Sequence, residues 1–166
     1  MAILKAATDW AKAEVFSTSF FILFGIAFVA ASIGFWHLGK TDLAKAYIIP
    51  TLVAGAMLMT IGFGLLFTNK ARISQFEKAY NKDTSAFIKS ETARVDATLK
   101  EYNTVVFKAI PLIIIVAALL IILINTPIWR AISITTIAML IVILIIDGTA
   151  YARISEYKEQ LTIVEK

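Results

Sequence analysis

The chain contains no cysteine, which excludes disulfides, thiolate chemistry and cysteine metal sites. It has one histidine, His37, and the acids on that side of the molecule reduce to Asp42, so a set of metal ligands cannot be assembled there. Charge is scarce. Asp, Glu, Lys and Arg make up 17% of 166 residues, against 59% hydrophobic. An ordinary soluble domain sits nearer half apolar and a quarter charged. No nucleophile–base arrangement, no phosphate-cradling Gly-Lys-Thr loop and no carboxylate pair within an apolar run is found. The expectation is a non-enzymatic protein without catalytic residues, metal or cofactor. The net charge of +4 does not read as nucleic-acid binding, because the basic residues flank apolar runs.

What is present is a series of long apolar runs, with a mean hydropathy of +0.80. Val15 to Trp36 and Ala46 to Phe67 carry no charge, and each is long enough for the roughly 20 residues a bilayer helix requires. Pro50 lies in the first turn of the second run and Pro111 in the first turn of the third, where a missing N–H costs little. Asn125-Thr126-Pro127 closes the third run. Between Arg130 and Asp147 too few uncharged residues remain, so the fourth span must begin near Ile128 and end near Thr149. That leaves Asp147 at the inner edge of the bilayer. The expected fold is an all-α membrane protein of one domain. Its spans are 15–36, 46–68, 107–125 and 128–149, arranged as two tandem helical hairpins with helices extended into the cytoplasm.

The polar segments are also helical in pattern. Residues 1–14 read either as an interfacial amphipathic helix, with Ile3, Ala6, Ala7, Trp10 and Ala13 on one face, or as a plain extension of the first span. Segment 69–106 predicts a helical hairpin turning at Asn81-Lys82-Asp83, with Asp83, Thr84 or Ser85 as the cap. Ile73, Phe76 and Tyr80 form an apolar stripe before the turn; Ile88, Val95, Leu99, Tyr102 and Val106 form one after it. Tail 150–166 carries a further stripe of Ile154, Tyr157, Leu161 and Val164. These stripes either pack on one another as a protruding bundle or offer a seam to a partner.

The short connections hold only Lys40, Lys45 and Arg130. All other basic residues lie in the N-terminal, central and tail segments, which predicts both termini in the cytoplasm of a multi-pass inner-membrane protein. Trp36 and Trp129 then mark the outer interface, and Trp10, Tyr102 and Tyr151 the inner one.

One stretch occurs twice. Thr68-Asn69-Lys70-Ala71-Arg72-Ile73-Ser74-Gln75-Phe76 returns as Thr149-Ala150-Tyr151-Ala152-Arg153-Ile154-Ser155-Glu156-Tyr157. Val15-Phe16 and Val106-Phe107 likewise open the first and third spans. This pattern reads as a duplicated two-helix unit in parallel orientation, unlike the inverted repeats of many transporters; the alternative is convergence on residues that helix exits favour. The first pair of spans is rich in small residues, including Ala27, Ala30, Ala31, Gly34, Gly55 and Gly62. The Ala27/Ala31 and Ala30/Gly34 spacings predict close helix approach.

Asp147 is the only acid within a span, and an ionisable group there is a functional candidate. The expectation is an ion pair with Lys108 at the inner interface, near Arg72 and Arg153; a proton or cation site is the alternative. Both arginines could also anchor by snorkelling or bind anionic head groups. The cytoplasmic seam candidates are Ile73, Phe76, Val95, Leu99, Ile154 and Leu161. Three functions remain open. The chain could be a scaffold or accessory subunit working through the lipid bilayer and a membrane-protein partner. It could be a homo-oligomeric channel or membrane-perturbing effector, with Thr18, Ser32 and Thr60 around a lumen. It could be an immunity-type protein that binds a toxin.

Overall fold

The computed structural model describes residues 2–165, with side-chain surroundings through residue 163. Val164, the last position of the tail stripe, and the terminal Met1 and Lys166 lie outside those limits. Among the described residues the chain is all-helical, with no strand. Four helical stretches are long and apolar enough to cross a membrane.

Helix α1 runs unbroken over Ala2–Leu38, so the N-terminal segment is a plain extension of the first apolar run. It ends where Gly39 donates its N–H to Phe35 O at 3.0 Å. Helix α2 is short, Asp42–Ala46, and Thr41 Oγ1 caps it by accepting from the Ala44 N–H at 3.1 Å. Helix α3 spans Ile48–Lys82. Pro50 lacks the N–H that would continue the ladder, and its ring excludes the carbonyl of Ala46, so α2 and α3 are separate helices. Asp83 is the residue that reverses the chain. It is extended and accepts from the Ala86 N–H at 2.9 Å, opening α4 over Thr84–Glu101.

A π-helical segment, Tyr102–Ala109, then joins α4 to α5, Ile110–Leu123. The Ile110 N–H reaches back to Val105 O, one residue further than in an α-helix. Pro111 supplies the physical cause: it offers no N–H and its ring displaces the carbonyl of Phe107, so the preceding turn widens. Pro111 does lie in the first turn of α5, as expected, but the helical path before it is continuous and must absorb it. Helix α6 covers Pro127–Glu165.

Helices α1 and α3 pack antiparallel along their apolar lengths. A Cβ on Gly25 would meet Met59 Cγ at 2.5 Å, one on Gly55 would meet Gly25 O at 2.8 Å, and one on Gly62 would meet Ile22 Cγ1 at 2.7 Å. Only glycine allows backbones this close. Ser32 Oγ adds a bond to Ile48 O at 2.7 Å. The contact face is therefore Gly25–Ile22–Val29 against Gly55–Met59–Gly62. The predicted Ala27/Ala31 and Ala30/Gly34 face is not used: Ala27, Ala30 and Ala31 are exposed and a Cβ on Gly34 would meet nothing within 4 Å. The four-residue spacing was right in kind but was read on the wrong side of α1.

Helix α6 lies against α1, α3 and α5, whereas α5 approaches only α6 and the π-helical segment that it continues. Phe21, Ala54, Leu58, Ile110, Met139, Leu140 and Ile146 form the core of this apolar half. A second core lies at the charged end. Ile3, Ala7, Trp10 and Ala11 of α1 pack there with Phe76 of α3, Phe87 and Val95 of α4, and Ile154, Tyr157 and Leu161 of α6. Ile73 and Leu99 pack against it. Its aromatic rings meet edge to face, with Phe87 against Phe76 and Tyr80 at 5.7 Å.

Candidate functional site

A cavity of about 330 Å³ lies between these two cores. Helices α1, α3, α4 and α6 and the π-helical segment contribute to its wall. Trp10, Glu14, Ser17, Thr18 and Phe21 come from α1; Leu65, Asn69 and Arg72 from α3; Arg94, Thr98 and Glu101 from α4; Tyr102, Val105 and Val106 from the π-helical segment; Ile146, Asp147, Ala150 and Ile154 from α6. The wall thus holds three carboxylates and two guanidiniums beside an apolar floor.

One side is organised around Trp10. Its ring stacks on Tyr157 at 5.6 Å, and the Arg94 guanidinium lies 4.5 Å from its centroid, with Arg72 at 5.8 Å. Arg94 is held by Glu91 through two bonds, Nε to Oε1 at 2.8 Å and Nη2 to Oε2 at 2.6 Å. Tyr157 donates its hydroxyl to the same carboxylate at 3.1 Å. Burial, and then the Glu91 charge, pushes the Tyr157 hydroxyl above its usual range, so it stays a donor at neutral pH. Glu91 is itself 5% exposed, and these three bonds compensate its removal from water.

The other side is organised around Glu14, which accepts from Arg153 Nε at 3.0 Å. Tyr102 lies near it. Burial, followed by the charges of Asp147 and Glu14, raises its hydroxyl above the usual value, so Tyr102 is also neutral.

The repeated arginines therefore meet different surroundings. Arg153 has a carboxylate, whereas Arg72 donates Nη1 to Asn69 Oδ1 at 2.8 Å and has no carboxylate within salt-bridge distance among the described residues. Burial, with the like charge of Arg94 second, lowers Arg72 from its ordinary value, yet a guanidinium stays charged at any physiological pH.

The expected Asp147–Lys108 ion pair is not formed. Lys108 is exposed on the π-helical segment, and Asp147 faces the cavity without an ion pair or hydrogen bond among the described residues. The pairing was expected from shared depth alone, and depth does not fix the direction in which each side chain leaves its helix. The ion pair at this depth is Arg153–Glu14 instead. Every seam candidate joins the charged-end core, but Glu91 and Arg94 were missed. Their signal was available: Glu91 lies between Phe87 and Val95 at four-residue spacing on α4, and an acid on an apolar stripe calls for a buried cation. Glu14 was missed because it was taken as the end of a polar segment.

Of the hydroxyls in the apolar half, Thr18, Ser19 and Thr60 bond back to carbonyls of their own helices. No group of His, Asp and Glu among the described residues is arranged to hold a metal ion. No protein-family model, curated protein or solved structure matches the chain.

Proposed function

We propose that the chain is a non-enzymatic integral membrane protein that acts as a scaffold or accessory subunit. It crosses the inner membrane four times as two tandem, duplicated helical hairpins, with both termini and the charged bundle in the cytoplasm. The observation that carries this reading is the packed charged end. Helices α1, α3, α4 and α6 leave the apolar zone and share one core there, which makes a preformed head rather than loose loops. Such a body offers a partner a rigid helical surface at the membrane.

The oligomeric channel is the alternative. Within one chain Gly25, Gly55 and Gly62 are taken up by the α1–α3 contact and Phe21, Leu58 and Leu140 fill the middle of the bundle, whereas Gly34 and Gly64 meet open space. Thr18 and Ser32 already have carbonyl partners.

Topology is tested with reporter cysteines at Lys40 and Lys82. On intact cells an impermeant reagent should label the first alone; labelling of the second alone would reverse the orientation. Function class is tested by mass in a nanodisc alongside ion flux in liposomes. A silent monomer or dimer is expected, and a conducting ring of four or more copies would overturn the scaffold reading.

A further inference from the structure

We infer that the cavity between the two cores binds the head group of an amine-bearing phospholipid, drawn laterally from the inner leaflet. This inference rests on the membrane placement proposed above and adds a ligand to it.

The argument starts from charges left over after internal pairing. Arg94 is satisfied by Glu91 and Glu14 by Arg153. Three groups lining the cavity remain without an ionic partner among the described residues: Arg72, Asp147 and, exposed to solvent, Glu101. Arg72 is half-buried, and its only hydrogen bond is the one to Asn69. A guanidinium carries five N–H donors, and its planar fork matches phosphate oxygens. Asp147 of α6 offers an acceptor in the same lining, and the exposed Glu101 of α4 offers another.

Charge balance then selects the ligand. Carboxylates outnumber guanidiniums in the lining, so a simple anion would be repelled as much as held. A zwitterion is complementary at both ends: phosphate toward Arg72, ammonium toward Asp147. A primary ammonium donates hydrogen bonds to a carboxylate and a trimethylated one does not, which separates ethanolamine from choline.

The way in points to a lipid rather than a soluble ligand. Among the described residues, α3 makes no close approach to the π-helical segment or to α5. Leu65 and Val105 line this gap and are 37% and 46% exposed. An apolar mouth beside a polar chamber suits acyl chains that stay in the bilayer while the head group enters. The depth agrees, since the cavity lies where the apolar runs give way to charge.

The test is native mass spectrometry of the protein released from nanodiscs containing equal parts of phosphatidylethanolamine, phosphatidylcholine and phosphatidylglycerol with the same chains. The wild type should retain phosphatidylethanolamine about tenfold over the other two, the effect of one charge-assisted hydrogen bond. R72Q and D147N should each abolish the preference. Helicity and melting of both are followed by circular dichroism. V105W blocks the mouth at an exposed position, leaves every charge in place, and should also abolish retention. Equal retention of the three lipids by the wild type would overturn the inference, as would a preference that survives in folded R72Q and D147N. Free phosphoethanolamine that displaces the lipid at equal concentration would overturn the lateral route. Alkaline carbonate extraction separates the two levels of the argument. A protein that stays in the membrane without lipid preference loses only this site, whereas one that is extracted loses the membrane placement as well.

Discussion

At the charged end Leu161, Val95 and Ala7 are fully shielded and helices α1, α3, α4 and α6 share one core. At the apolar end α5 touches α6 alone among the other long helices, and Leu112, Ile115, Val116 and Leu119 face outward. The same rods are thus joined in two ways. In water, burial of Phe76, Phe87 and Tyr157 drives association. Under the proposed placement the surrounding lipid is as apolar as leucine, so the drive falls to close backbone contact and hydrogen bonds. This explains why Gly25, Gly55 and Gly62 lie between α1 and α3, and why α5, all bulky aliphatics between Leu112 and Val116, stays peripheral.

The comparison is broken most strongly from the charged end. Phe87→Ala should cost about 3–5 kcal/mol, because it removes a core ring that touches Phe76 and Tyr80. Unfolding in mild detergent followed by circular dichroism reads this, and a loss below 1 kcal/mol would deny that the head is a true core. Glu91→Gln should cost roughly 1–3 kcal/mol, the loss from a broken buried pair discounted because Arg94 is 22% exposed. Asp96→Asn, which breaks the exposed pair with Lys158, should cost about 0–1 kcal/mol in the same assay.

The apolar end is sharpened by a pair of glycines. Gly55→Ala forces α1 and α3 apart and should cost roughly 1–3 kcal/mol. Gly34→Ala meets open space and should be neutral or stabilise by up to about 1 kcal/mol through helix propensity. Equal effects at the two sites would mean that the α1–α3 contact is not where the structure has it. A double-mutant cycle between Glu14 and Arg153 should give a coupling of about 0.5–1.5 kcal/mol, while Lys108 and Asp147 should be additive. The smallest effect belongs to Ile115→Ala on the outer face of α5, within about 0.5 kcal/mol.

Much of the fold was legible because its signals are local. Charge-free runs such as Val15–Trp36 and Ala46–Phe67 mark helices by length alone, and Asp83 marks a reversal by capping chemistry. The stripes through Ile73 and Phe76, Val95 and Leu99, and Ile154 and Leu161 marked faces that share one core. The cavity was less legible. Arg72, Arg153 and Asp147 were recognised as candidates by type, but which acid meets which base depends on rotation about each helix axis. Lys108 ends up exposed on the π-helical segment, while Asp147 lines the cavity with Tyr102 and Glu14.

The sequence by itself determined the class: long helices, apolar in one half and charged in the other, with no cysteine. Composition and run length suffice for that, since each helix satisfies its own backbone. Only the tertiary structure decided the partners. It put Gly25 with the expected Gly55 and Gly62, and not Ala27, Ala31 or Gly34, at the close contact, gave Glu14 to Arg153, and brought Arg72 and Asp147 into the lining of one chamber. The reason is geometric. Periodicity says which residues share a face, but the angle at which that face meets its neighbour is set by packing all the helices at once.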